Sequence, residues 1–196
     1  MTLFDTAVRP IVRMSATRAN SRGSLVVDVL MAAALLFASL RHADVRLVPA
    51  LVTFVLGLFL FSLAEYCFHR WMFHGSMKVF EEGHDRHHRD PLGDHSMPFF
   101  LPPVMLLMLA GLFDLAMPTG YALLLAGAMA AGYAAYGLSH FAIHITRFRN
   151  PLGKRWAARH HIHHHHPDRN FGVTTPFWDI VLGTHYVSNR RRAGAP

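Results

Sequence analysis

Four long apolar stretches divide this chain, and they leave it few ways to fold. They run Ser24–Leu40, Leu47–Ala64, Phe99–Met117 and Gly120–Ser139. A bilayer core about 30 Å thick takes roughly 20 mostly apolar residues per helix. None of the four has a polar face at helical spacing. Four helices apolar on every side cannot all occupy the centre of a soluble chain of 196 residues. The pattern therefore predicts an all-α integral membrane protein, a four-helix transmembrane bundle with the remaining chain forming a helical cytoplasmic cap. Asp28 and Asp114 are the carboxylates within these stretches, and Asp28 is expected near the end of its span, within reach of water. The third stretch has two prolines near its start. The fourth is rich in small residues that let a neighbouring helix approach closely.

Charge gives the orientation. Of nineteen lysines and arginines, two (Arg41 and Arg46) lie between the first and second stretches. None lies between the third and fourth. The other seventeen fall before the first stretch, between the second and third, or after the fourth. Positive residues stay on the cytoplasmic side, so both termini and the middle segment are expected there. The formal charge of +7 is then a topological device that also meets anionic headgroups. No aromatic–basic platform accompanies it, and a nucleic-acid partner is not expected. Met1 to Gly23 has no apolar core and is read as an N-terminal segment rather than a secretory signal. Residues 24–186 read as a single membrane-embedded unit, followed by a basic tail, 187–196. The lone cysteine, Cys67, excludes an intramolecular disulfide and a thiolate zinc cluster.

The histidines follow the same map. There are sixteen, and all but His42 fall on the predicted cytoplasmic side or at the cytoplasmic ends of spans. Ten form four clusters. His69 and His74 are five residues apart, which is not one face of an α-helix, so the chain there must bend or be met by ligands from elsewhere. Glu65, one turn before His69, is a candidate to orient its ring. His84, His87 and His88 sit at i, i+3 and i+4, one helix face, with Asp85 and Asp94 as candidate partners. His140 and His144 share a face at the end of the fourth stretch, where a polar pair at membrane depth points to function. The fourth cluster lies in "RHHIHHHH". Both His160, His163, His164 and His161, His164, His165 fit the i, i+3, i+4 pattern, so spacing alone leaves the register open. Ten imidazoles abutting one membrane face fit two metal ions, and all-nitrogen sites suit iron, zinc or copper. No P-loop or serine-nucleophile elbow is present.

The order of the four clusters, "HRWMFH", "HDRHH", "HFAIH" and "HHIHH", followed by "NFGVTTPFWDIVLGTHY", resembles the fatty acid hydroxylase superfamily, also called the sterol desaturase family. The likeness covers about Glu65 to Tyr186 and is nearest the fatty-acyl branch. It implies that the last histidine of the final box precedes the NFG element by about six residues, which selects His160, His163 and His164. His161, His165 and His166 then depart from the minimal box, as rim ligands, proton-relay groups or, by preference, surface residues, and His185 has no assigned role. The resemblance further implies a non-haem site of two iron ions, with zinc possible in isolated protein. Those ions would be held by His69, His74, His84, His87, His88, His140, His144, His160, His163 and His164. Dioxygen is the implied co-substrate. Relatives that hydroxylate fatty acids carry a fused haem domain that this chain is too short to hold, so electrons are expected from a separate protein.

The expected reaction is hydroxylation of an unactivated C–H bond of a membrane lipid, a fatty acyl chain before a sterol or carotenoid. Such a bond demands an oxidant no side chain supplies, so the protein's part is positioning and exclusion of water. Trp71, Phe73, Phe99, Phe100, Trp178 and Tyr186 are candidates to line a pocket or to form an interfacial belt. A desaturase would use the same ligands. A non-catalytic membrane metal-binding or transport protein is the alternative from another class. It would place ionisable groups along a path through the spans.

Overall fold

The computed structural model describes residues 13–75, 78–94 and 96–188. The first twelve residues of the N-terminal segment, His95 and residues 189–196 of the basic tail lie outside the described residues. Helix α1 spans Arg18–Leu40, α2 Leu47–Cys67, α3 Lys78–Arg89, α4 Leu101–Asp114, α5 Thr119–Ile145, α6 Pro151–His165 and α7 Phe177–Val181; a π-helical segment, Phe68–Phe73, continues α2. No strand occurs among the described residues.

Among the described residues, three helices are long and apolar enough to cross a membrane: Arg18–Leu40, Leu47–Phe73 and Thr119–Ile145. Each outgrows the apolar stretch that predicted it. Thr17 caps α1 by accepting a hydrogen bond from the Asn20 amide at 3.2 Å, so the polar run Arg18–Gly23 joins the helix. Asp28 therefore sits ten residues in rather than near an end. It is buried, with Oδ1 unpartnered, contrary to the expectation that it reaches water. The third apolar stretch differs more. Its helix begins at Leu101, with Pro102 and Pro103 in the first turn where proline is tolerated, and ends at Asp114 ahead of Pro118. Fourteen residues reach about 21 Å, well short of the bilayer core. The described residues thus have three helices of spanning length and one shorter apolar helix where four spans were expected.

Helix α5 is the hub: α1, α2 and α4 all pack on it. Its alanines and glycines make this possible. Ala122, Ala126, Ala128 and Ala130 are each at most 1% exposed. At Gly57 of α2 a methyl group would stand 2.5 Å from the Ala128 Cβ, so only glycine permits that approach. Large apolar side chains on the outer faces of α1 and α2, such as Leu30, Leu40, Val48 and Val52, are mostly exposed, as suits lipid contact.

Candidate metal centre

The turn that carries the first histidine pair is the π-helical one. Its i→i+5 hydrogen bonding widens the helix, and the His74 amide donates to the His69 carbonyl at 3.3 Å. Residues five apart then share a face. The His69 and His74 rings stack with centroids 5.3 Å apart. The bend that the spacing demanded is this single wide turn.

All ten histidines converge in two groups of five. One contains His69, His74, His84, His88 and His163; the other contains His87, His140, His144, His160 and His164; within each, the nitrogen atoms lie within 4.8 Å of one another. The i, i+3, i+4 triplets of α3 and α6 are divided between the groups in opposite senses. Helix α3 gives its outer pair, His84 and His88, to the first group and His87 to the second. Helix α6 gives His160 and His164 to the second and His163 to the first. The π segment completes one group and the end of α5 the other, so the two are related by an approximate exchange of elements. They touch where the His88 and His164 rings stack, centroids 4.4 Å apart.

The nitrogen geometry fits cations better than hydrogen bonds. His84 Nε2 lies 3.0 Å from His69 Nε2, 2.9 Å from His74 Nε2 and 3.0 Å from His88 Nε2. One ring nitrogen carries one proton or one lone pair and cannot bond all three. His160 Nε2 likewise stands 3.0 Å from both His144 Nε2 and His164 Nε2. Nitrogens about 2.1 Å from a common cation would be about 3.0 Å apart at right angles and about 3.4 Å apart in a tetrahedron; the observed edges match the former. The Nε2 atoms of His87 and His140 are buried without a partner, a costly state unless a cation takes the lone pair.

Electrostatics keep the lone pairs available. Burial holds the His88 and His164 imidazoles down to about 4, with His74 adding to the effect at His88 and His88 at His164. Burial holds His163 down to about 3, against the Arg169 carbonyl, which favours its protonated form. His84, His87 and His160 are pushed lower by burial and by neighbouring imidazoles. Neutral rings are the ligating form.

The segment after α6 aims these rings. A carbonyl only accepts, so His69 Nδ1 donates to the Phe171 carbonyl and His163 Nδ1 to that of Arg169 at 2.7 Å, leaving each Nε2 facing its group. Asn170, at φ +55°, turns the chain, and its side chain accepts from the Tyr186 amide at 2.9 Å and donates to the Arg159 carbonyl at 3.2 Å. Asp179, 1% exposed, accepts from the Phe171 amide (2.8 Å), the Gly172 amide (2.9 Å) and the Thr184 hydroxyl (2.7 Å). At Gly172 a methyl would fall 2.0 Å from the Thr175 carbonyl oxygen, so no other residue fits.

Several expected partners lie elsewhere. Glu65 does not orient His69; it accepts from the Val173 amide at 2.6 Å, the Thr174 amide at 2.9 Å and the Thr174 hydroxyl, fixing the same loop from the membrane side. Asp94 pairs with Arg18 at 3.2 Å. Asp85 is exposed, but its charge acts on the site, favouring the protonated forms of His74 and His88 against their burial. His161, His165 and His166 belong to neither group, and His166 stacks on Tyr186. Asp179 went unread in the sequence. Its signal was a lone carboxylate inside an apolar run, a group that must find donors if buried.

An apolar cavity of about 130 Å³ lies between α2, α4 and α5, lined by Phe61, Phe68, Phe73, Met105, Met129 and Tyr136 among others. It abuts both histidine groups. Phe73 stacks on His84 of the first (centroids 5.2 Å) and Tyr136 on His140 of the second (5.7 Å). Of the six aromatic residues that were candidates for a pocket or an interfacial belt, only Phe73 lines it. Trp178 donates to the Ser62 hydroxyl and packs on Phe59, and Trp71, Phe99 and Phe100 are exposed.

A family model described as fatty acid hydroxylase matches residues 54–184. The chain is 30% identical over 142 residues to an Arabidopsis thaliana dihydroceramide fatty acyl 2-hydroxylase, FAH1, covering 66% of this chain and 59% of that one. It is 31% identical over 147 residues to the Homo sapiens fatty acid 2-hydroxylase, covering 67% and 38%. It thus spans between about two fifths and three fifths of the length of these relatives. A solved structure of full-length scs7p, in which only the hydroxylase domain is visible, superposes with a TM-score of 0.72 at 25% identity, covering 99% of this chain and 73% of that one. The chain belongs to the fatty acid hydroxylase family.

Proposed function

We propose that this protein is a membrane lipid hydroxylase that adds one oxygen atom of dioxygen to a C–H bond of a fatty acyl chain, using two iron ions held by the ten histidines. The observation that carries the reading is the contact of one apolar cavity with both five-histidine groups, through Phe73 and Tyr136. The names of the relatives, fatty acid and dihydroceramide fatty acyl 2-hydroxylases, support the same substrate class. A polar cavity would have favoured a headgroup or a metabolite. This one offers rings and aliphatic side chains to a hydrocarbon.

The iron pair supplies dioxygen activation, which no side chain provides. The protein's own residues do the rest. The π turn, α3, α5 and α6 present neutral imidazoles. The Phe171 and Arg169 carbonyls fix the protons of His69 and His163 on Nδ1. Phe73 and Tyr136, stacked on His84 and His140, border the end of the cavity beside the histidines, where they guide the acyl chain and exclude water. Placing one oxygen atom in the lipid and releasing the other as water consumes two electrons, which come from a separate electron-transfer protein, and two protons, which come from solvent. The arginine and lysine distribution supports a site and termini facing the cytoplasm, where such a donor is found.

Lipid mass spectrometry of cells with and without the gene tests the reading. A product heavier by one oxygen is expected. A product lighter by two hydrogens makes the protein a desaturase, and an unchanged lipid profile with metal bound favours a non-catalytic role.

A further inference from the structure

The cavity has a floor as well as a roof. Its lining descends α5 from Tyr136 through Tyr133 to Met129, α2 from Phe68 to Phe61, and α4 from Pro102 to Leu109. Immediately below, the helices close on one another. At Gly57 an added methyl would lie 2.5 Å from the Ala128 Cβ and 2.8 Å from the Leu125 carbonyl oxygen, so nothing passes between α2 and α5 there. Below Leu109, Ala110 is buried in a cluster with Ala126 and Ala130, which seals α4 against α5. Phe61 is held edge-on to Tyr133, centroids 6.2 Å apart. The depth follows from α5. Met129 and Tyr136, the lowest and highest lining residues of α5, are seven residues apart, about 10 Å along a helix. That is about a third of the 30 Å hydrocarbon core.

We infer that Met129, with Phe61 and Leu109 beside it, sets the length of acyl chain that reaches the histidine groups. This rests on the acyl-lipid reading above and adds the substrate subclass. A chain whose end meets the floor places one particular carbon at the roof, beside Tyr136 and Phe73. A shorter chain leaves apolar surface uncovered, and each methylene missing from the buried length costs about fourfold in kcat/KM. A longer one must fold back or withdraw its reactive carbon.

The test uses the full, iron-loaded chain in phospholipid vesicles with dioxygen, a reductant and an electron-transfer protein, offered saturated acyl lipids from lauroyl to lignoceroyl in two-carbon steps, with hydroxylated products and bound metal both quantified. Met129→Trp raises the floor and is expected to move the preferred length at least two carbons shorter. Met129→Ala lowers it and is expected to move the preference longer. Leu109→Trp, on a different helix, is expected to shorten the preference as Met129→Trp does, and serves if the latter fails to accumulate. Metal content should stay at the wild-type value throughout. An unmoved length profile in the accumulating variants, with metal retained, overturns the inference and means that the tail leaves sideways between α2 and α4. A wild-type chain that hydroxylates no acyl lipid overturns the acyl reading itself, and this inference with it.

Discussion

His163 Nδ1 stands 2.7 Å from the Arg169 carbonyl oxygen, and that one bond decides what the rest of the ring can do. The carbonyl accepts, so Nδ1 holds the proton and Nε2 is a lone pair directed at His74 Nε2, 3.0 Å away. Replacing His163 with alanine is expected to remove the fifth nitrogen of the first group only. Metal content should fall by up to one equivalent per chain and turnover by at least about 100-fold, the upper range for disturbing a metal's surroundings. Elemental analysis and product assay check this. Wild-type turnover in His163→Ala would take His163 out of the site.

Asp179 acts on the same histidines from a distance. Its two oxygens accept from three donors around Phe171, and the Phe171 carbonyl holds His69. Asp179→Asn puts an amide N–H₂ against either the Gly172 amide or the Phe171 amide and Thr184 hydroxyl. A loss of about 2 kcal/mol in stability is expected from the unsatisfied donors, together with weaker metal retention. Denaturant unfolding of the purified protein measures the first. A midpoint equal to wild type would show that the loop does not depend on this carboxylate.

These two cases mark what was legible in the sequence. His84, His87, His88, His140 and His144 could be found because i, i+3, i+4 and i, i+4 spacings put side chains on one face whatever surrounds them, whereas the register of His160, His163 and His164 came from the resemblance, since spacing fitted His161, His164 and His165 as well. The division of the ten ligands into groups could not be found, because it depends on how α3 and α6 face each other across the site. His69 and His74 were readable as a pair needing a distorted helix, but not as a π turn, since no local residue type specifies one. The long helices were visible in their apolar runs. The short α4 was not, because hydropathy continues past both of its ends while Pro102, Pro103 and Pro118 govern the backbone. Glu65 and Asp179 were missed as loop supports for a similar reason. Their donors are backbone amides, and an amide carries no sequence signal.

Protonation should release the metals and loosen the fold together. His88 and His164 are held to about 4 and His163 to about 3, mainly by burial, against about 6.5 in an unfolded chain. Below 6.5 the unfolded chain therefore binds more protons than the folded one, and stability falls as pH falls. The contribution is complete above about 6.5 and is lost progressively toward 4 and 3. Thermal unfolding of metal-stripped protein from pH 8 to pH 4 is expected to show a flat midpoint above about 6.5 and a decline below it. A midpoint that rises on acidification would contradict the neutral-imidazole site.

Topology is open to direct labelling. With Cys67 replaced by serine, a cysteine at position 42 is expected to react with a membrane-impermeant maleimide from the extracytoplasmic side, and a cysteine at exposed His165 only after the cytoplasmic face is opened. Reaction of position 42 from the cytoplasm would invert the orientation drawn from the arginine and lysine counts.

The central claim is that two cations sit within the two five-histidine groups. Anomalous diffraction at the iron edge from crystals of the purified chain, repeated at the zinc edge, tests it most directly. Two peaks are expected, one bounded by the Nε2 atoms of His69, His74, His84, His88 and His163, the other by those of His87, His140, His144, His160 and His164. A single peak shared by both groups, or none at either edge with the ten rings still clustered, would contradict the account.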